Sequence, residues 1–459
     1  MAFGWAPERT NMSEEQKLIT DLTAGVDSRA AAADILREWS ETGSFPNRQL
    51  DALTKDRPFV QEVVYGVLKH LRILEWIVRR YAVQQPTPDL EAVIWVGFYQ
   101  LLYMDHVPDY AAVQATVGIL SRDPRLRPQA DFVNALLRRL QKEREGLRLQ
   151  FPALPLDVRE SHPRELVARW YRQWPQADVE ALCHWNNSRA EVIVRPRAHR
   201  GPVADWRAQM AVAGIELTPH PFAPEEFFIV PHGWTVPDLP GFKEGLFTIQ
   251  DPATLAAVRL LDPQPGEAVW DACAAPGGKT VLISERMQGK GCLTASDRYS
   301  DRMDRLMENL RRLKVSWVDI RTVDLRSPNL AKLLPVPVYD RILLDVPCSN
   351  TGVLRRKPDA RWRYSDDRLR ELVQLQAELL TICSAYLKPG GTLVYSSCSL
   401  ENDENQGQVQ RWLARRPDFQ LTGETFLFPS KSQTDGAYAA RLVRGAAAKS
   451  RNLLEAGGG

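Results

Sequence analysis

From about residue 245 the chain alternates short apolar runs with amphipathic segments, and this alternation does most to narrow its possible folds. Ala268–Asp271 (AVWD), Cys292–Ser296 (CLTAS), Ser316–Val323, Asp340–Asp345 (DRILLD) and Gly391–Ser397 (GTLVYSS) have the pattern of strands. Lys279–Ser284, Asp301–Lys314 and Asp367–Leu387 have the pattern of helices. Strands alternating with helices predict an α/β fold with a doubly wound parallel sheet. In such a sheet ligands bind beyond the carboxyl ends of the strands.

Several chemically capable residues fall at those ends. A loop, Cys273-Ala274-Ala275-Pro276-Gly277-Gly278, follows the first strand and runs through Lys279 into a helix. Its glycines let backbone approach a ligand closely. Asp297 ends the second strand, nineteen residues after Gly278, the usual separation for a carboxylate that accepts ribose hydroxyls. A nucleoside-containing cofactor is therefore expected. The loop is neither GxGxxG nor a phosphate-binding P-loop. Asp324 follows the third strand and Asp345 ends the fourth; each alternatively serves as a turn or helix cap. Cys348 and Cys398 lie just beyond the fourth and fifth strands. A thiolate there would be a strong nucleophile; the plainer alternative is two buried, inert thiols.

The first 145 residues differ. Ser28–Thr42, a long segment opened by Pro58 with Phe59, Val63, Val67, Leu71, Leu74 and Val78 on one stripe, and segments from Pro88, Asp109 and Pro128 predict an all-α bundle. The most apolar window, Ala92–Met104, is too short to span a bilayer and suits a buried helix. Residues 1–16 lack the apolar core of a signal peptide. The six cysteines form no CxxC pair and no metal-like cluster, so no metal and a reduced, cytoplasmic setting are expected. A net charge of +2 leaves nucleic acid open, because a local basic face can sit inside a neutral total. Arg138 and Arg139 near the end of the last bundle helix are either solvated or phosphate-contacting.

Residues 146–240 carry Trp170, Trp174 and Trp185 on a small helical piece, then strand-like runs at Glu191–Arg195 and Glu226–Val230. Arg195, Arg197 and Arg200 cluster near His199, as in a linker domain that touches substrate. The expected division is a bundle at 1–145, this linker domain at 146–240, an α/β domain at 241–445 and a loose tail at 446–459.

DACAAPGGKT (Asp271–Thr280), DVPCSNTGVLRRKPDARW (Asp345–Trp362) and YSSCSLENDENQ (Tyr395–Gln406) together resemble the motifs of the Nop/Sun group of RNA cytosine-5 methyltransferases. QDPATLAAVRLL (Gln250–Leu261) and DGAYAARL (Asp435–Leu442) are similar to its flanking segments. The first 145 residues, with DRPFVQEVVYGVLKHLR (Asp56–Arg72) and FVNALLRRL (Phe132–Leu140), resemble a NusB-like RNA-binding domain. The two joined resemble bacterial methyltransferases of small-subunit ribosomal RNA.

The resemblance implies a Rossmann-like sheet with S-adenosylmethionine as cofactor, held by Cys273–Lys279, Asp297, Asp324 and Asp345. It implies that Cys398 is the nucleophile, that Cys348 assists release and that Asp345 acts at the target base. Arg355, Arg356, Lys357 and Arg361 beside Cys348 are then expected to contact RNA phosphates. The group more often has Ala, Gly and His where Val346, Asn350 and Lys357 stand, which bears on the target site. The expected reaction is covalent carbon-5 methylation of cytosine in ribosomal RNA, with a monomer as the default state. The alternatives are transfer RNA as substrate, or a non-catalytic RNA-binding assembly factor. DNA cytosine methylation would use only the position of Cys348, and the Asp-Pro-Pro-aromatic motif of amino-group methylation is absent.

Overall fold

The structure is a computed structural model and describes residues 28–446. The expectations for residues 1–16 and for a loose tail, from residue 447 on, lie outside the described residues. The chain forms two compact units. One runs up to Asn187 and takes in Lys357–Arg363; the other comprises Ser188–Arg356 and the chain from Tyr364 onward.

The helical unit follows its apolar periodicity. Pro58 stands in the first turn of Arg57–Tyr81, where its missing N–H costs nothing, and Val63, Val67, Leu71, Leu74 and Val78 are all buried. Pro88–Tyr103 is buried along Ala92–Leu102, so the most apolar window is a core helix. No described helix is long and apolar enough to cross a membrane. Gly66 lets the two helices meet: a Cβ there would lie 1.9 Å from the Tyr99 ring. Asp109–Arg122 and Ala130–Arg148 complete the bundle, burying Leu120, Leu136, Leu137 and Leu140 in the same core. Truncating a fully buried leucine such as Leu74 to alanine costs about 2–5 kcal/mol. The unit continues past residue 145 through Arg164–Gln173 and Gln176–Asn187.

The second unit contains two sheets. The smaller is antiparallel, with β1 (Val192–Pro196), β2 (Thr218–Pro219), β3 (Phe228–Val230) and β4 (Phe247–Ile249) in the order β2-β3-β1-β4. Arg195 and Arg197, expected near substrate, instead grip Glu285 at 2.7 and 2.6 Å, and both are buried. They anchor the helix Gly278–Arg286, which begins at the glycine loop.

The larger sheet contains β5 (Ala268–Asp271), β6 (Cys292–Asp297), β7 (Asp319–Thr322), β8 (Tyr339–Asp345), β9 (Leu387–Ser397), β10 (Phe419–Leu427) and β11 (Ala437–Arg444). Their order is β10-β11-β9-β8-β5-β6-β7. Five strands, β5 to β9, are parallel, as the alternation predicts. The last two are not: β11 runs antiparallel to both β9 and β10. This hairpin escapes the sequence pattern because β10 is an outer strand whose Gln420, Leu421 and Thr422 are all exposed, leaving no clean alternation. The strand order reverses between β5 and β8, which opens a ligand crevice at their carboxyl ends.

Candidate active site

Register brings the two cysteines together. Asp345, the last residue of β8, pairs with Ser396 of the adjacent parallel strand β9. Cys348 lies three residues beyond Asp345 and Cys398 two beyond Ser396, so both leave the same edge of the sheet. Their sulfurs are 3.2 Å apart. The turns behind them are locked. Gly352 N–H donates to Cys398 O at 3.0 Å, and a Cβ on Gly352 would come within 2.7 Å of that oxygen.

Glu404, fully buried, fastens the residue after each cysteine. Its carboxylate accepts from Ser349 N–H at 2.9 Å, from Ser349 Oγ at 2.5 Å, from Gln376 Nε2 at 2.8 Å and from Ser399 Oγ. Sequence reasoning missed Glu404; the one available signal was its place inside the YSSCSLENDENQ segment.

The two thiols are not equivalent. Cys348 is buried, whereas Cys398 is half-buried. The hydrogen bond with Cys398, reinforced by burial, pushes the Cys348 thiol well above the usual range and keeps it protonated. The more accessible sulfur, Cys398, is thus the better placed for attack. It donates to Asn350 Oδ1 at 3.3 Å.

Asp345 accepts from Lys279 Nζ and from Ser396 Oγ, each at 2.7 Å. Burial opposes the charge on Lys279, but Asp345 beside it outweighs that effect and holds the ammonium above the usual lysine range. The sequence places Lys279 at the end of the glycine loop; its partner, sixty-six residues away, comes from β8.

The glycine loop is held from several sides. Ala274 N–H donates to Ser296 O at 2.8 Å and Ala275 N–H to Asp297 at 3.3 Å. The Ala275–Pro276 bond is cis, and Arg302 Nη2 donates to Ala275 O at 2.7 Å. Gly277 has φ +100°, which a side chain would strain. Cys273 opens the loop, and burial pushes its thiol up. Asp271, Asp297 and Asp345 end β5, β6 and β8, and Asp324 follows β7 by two residues. Asp297 is almost fully buried. Asp324 is more open and carries Arg298 and Arg326 at 3.3 and 3.2 Å. The hydrogen bond from Arg326 holds its carboxyl below the usual range.

Asp271 is buried; it accepts from Thr280 Oγ1 at 2.7 Å, while its second oxygen has no partner among the described residues. Asp297, Asp324 and Asp345, at the carboxyl ends of neighbouring parallel strands, repel phosphate and suit hydroxyl, amine and sulfonium groups, a set that a nucleoside carrying a sulfonium fits.

The basic residues fare differently. Arg361 is fully buried within the helical unit, donating to Ser161 O at 3.0 Å, Asn187 Oδ1 at 2.8 Å and Asn186 O at 3.3 Å. Arg355 is buried and donates to Arg189 O at 3.1 Å. Arg356 sits between Asp251 at 3.0 Å and Asp435 at 3.1 Å. These three arginines brace the fold rather than face phosphates, correcting the expectation of a basic patch. The reason is local: their neighbours supply carbonyls and carboxylates that a linear sequence cannot reveal. Lys357 is exposed. Arg138 and Arg139 are exposed; Arg139 pairs with Glu143 at 3.1 Å and lies over the Tyr81 ring.

Residues 258–445 match the model of the family 16S rRNA methyltransferase RsmB/F, residues 26–142 the NusB family, and residues 162–230 the ferredoxin-like domain of RsmF/B-like methyltransferases. The chain is 35% identical to ribosomal RNA small subunit methyltransferase B of Klebsiella pneumoniae, over 91% of this chain and 98% of that one. It is 34% identical to a probable ribosomal RNA small subunit methyltransferase B of a Synechocystis species, over 86% and 90%. Among solved structures, PH0851 superposes with a TM-score of 0.74 at 23% identity, covering 92% of this chain and 99% of that one, a likeness of fold.

Proposed function

Because the chain belongs to the 16S rRNA methyltransferase RsmB/F family, we propose that it methylates carbon 5 of a cytosine in small-subunit ribosomal RNA, using S-adenosylmethionine and a covalent cysteine adduct. The observation that carries this reading is the Cys348–Cys398 sulfur pair, 3.2 Å apart, beside the Lys279–Asp345 ion pair.

Carbon 5 of cytosine is a poor nucleophile. Attack of the Cys398 thiolate on carbon 6 forms an S–C bond and makes carbon 5 enamine-like. Bound at the carboxylate-lined crevice, S-adenosylmethionine supplies the methyl group that carbon 5 takes up. The negative charge that builds on the ring is neutralised by a proton delivered to nitrogen 3 through Asp345, with the Lys279 ammonium behind it as the source. Water takes the carbon 5 proton, the freed electron pair restores the ring double bond as the Cys398–C6 bond breaks, and nitrogen 3 returns its proton to Asp345. We assign Cys348, whose thiol stays protonated, to this release: it hydrogen-bonds the departing sulfur. The base reaches the crevice unstacked from its RNA.

The test is bisulfite sequencing of ribosomal and transfer RNA from cells with and without the gene. Loss of one protected cytosine in small-subunit ribosomal RNA is expected. Loss confined to transfer RNA would move the substrate, and no change at all would defeat the catalytic reading.

A further inference from the structure

Asn350 stands between the two cysteines in a conformation few side chains adopt. Its φ is +61°, in the left-handed region that glycine and asparagine tolerate best. In that conformation its amide touches both cysteine residues. Nδ2 donates to Cys348 O at 2.9 Å, and Oδ1 accepts the Cys398 S–H at 3.3 Å. Each thiol has one proton to give. With the Cys398 proton directed at Asn350, the contact between the sulfurs is a donation from Cys348 to Cys398. The three groups thus close a ring: Cys348 S–H to Cys398 sulfur, Cys398 S–H to the Asn350 amide oxygen, and the Asn350 amide nitrogen to the Cys348 carbonyl.

We propose that Asn350 is a positioning residue for the Cys398 sulfur, fixing its direction and holding its proton in the resting enzyme. The physical basis is that an amide oxygen accepts from a thiol and offers nothing to a thiolate, so the contact favours the protonated form. It also fixes the side-chain torsion of Cys398, which sets the line of attack. The backbone conformation would be equally available to glycine, which would leave the sulfur without this hold. The ionisable groups acting on the sulfur are the Lys279 ammonium, which favours the thiolate, and the Cys348 thiol; the Asn350 contact opposes Lys279 and so tunes when the nucleophile ionises. The inference rests on Cys398 being the reacting thiol.

The experiment is alkylation of the full-length protein by iodoacetamide from pH 6 to 10, with the rate at Cys398 read by peptide mass. Asn350→Gly suits φ +61° and should melt close to the parent. Its Cys398 should react about three-fold faster near neutral pH, with the midpoint moved to lower pH, as expected for losing one weak hydrogen bond. Asn350→Asp keeps the shape but puts negative charge beside the sulfur, and should move the midpoint to higher pH. A Cys398 profile in Asn350→Gly that is unchanged, or shifted upward, overturns the proposal. Alkylation does not depend on methyl transfer, so it separates from the proposed function, which fails instead if Cys398→Ala still methylates RNA.

Discussion

Lys279 Nζ lies 2.7 Å from Asp345 Oδ2, joining the first turn after the glycine loop to the end of the neighbouring strand β8. The pair places a cation beside the cysteines and a carboxylate where the base is proposed to react. Lys279→Met removes the cation and leaves Asp345 with only the hydrogen bond from Ser396 Oγ. We expect methyl transfer to fall about 10- to 100-fold, since the carboxylate loses its positioning partner and its proton source. Lys279→Arg should recover only part of the rate. Parent-like transfer by Lys279→Met would separate the ion pair from the chemistry.

The two sulfurs should fail in opposite ways. Cys398→Ala removes the attacking thiolate and should abolish transfer. Cys348→Ala leaves attack intact and slows release, so protein should remain bound to RNA as a band that survives a denaturing gel. Incubating each variant with cofactor and RNA distinguishes them. A stable adduct with Cys398→Ala, or none with Cys348→Ala, would exchange the assignments.

How far the sequence carried is clearest at these cysteines. Apolar runs fixed where β8 and β9 end, and two strands ending in phase deliver their following residues to one place, so the pair was legible. Glu404 was not: its importance lies in bonds to Ser349, Ser399 and Gln376, and a glutamate among LENDEN has no pattern that announces burial. Arg361 shows the opposite error. In RRKPDAR it has the signature of a solvated charge run, yet its partners are Ser161, Asn186 and Asn187, more than 170 residues earlier. Periodicity reports which face of an element is buried. It does not report a polar side chain whose partners come from distant loops.

Arg361 accordingly predicts a stability effect. Burial lowers its guanidinium to about 10; its terminal nitrogens donate to two carbonyls and an amide oxygen, while Nε has no partner among the described residues. Arg361→Ala leaves those acceptors buried without a donor, at a cost of about 3 kcal/mol or more. Denaturant unfolding should show the loss. The salt dependence of RNA binding by the folded variant should match the parent, since no phosphate contact is removed. A shallower salt slope would return Arg361 to the RNA interface.

Asp297 should separate cofactor from RNA. It anchors the glycine loop through Ala275 N–H and is proposed to accept the ribose hydroxyls. Asp297→Ala should weaken S-adenosylmethionine binding at least ten-fold by calorimetry, the effect of losing about 1.4 kcal/mol or more of charged hydrogen bonding. RNA affinity should change little. The reverse pattern would sink the ribose assignment.

Asp271 gives a prediction about pH with a definite sign. Burial raises its carboxyl from 3.8 to about 7, while the hydrogen bond from Thr280 opposes the rise. A carboxyl raised on folding contributes its stability in full below about pH 4 and loses it as pH climbs through 7, where the folded protein must bury a charge. Asp271→Asn cannot ionise and keeps a polar partner for Thr280. The parent should therefore lose stability relative to Asp271→Asn between pH 4 and 8, by no more than about 4 kcal/mol. Melting temperatures of the two cofactor-free proteins across that range provide the measurement. Parallel curves would mean that Asp271 is already ionised in the folded protein at pH 4, and that its unpartnered oxygen is satisfied by water or a neighbouring donor rather than by a proton.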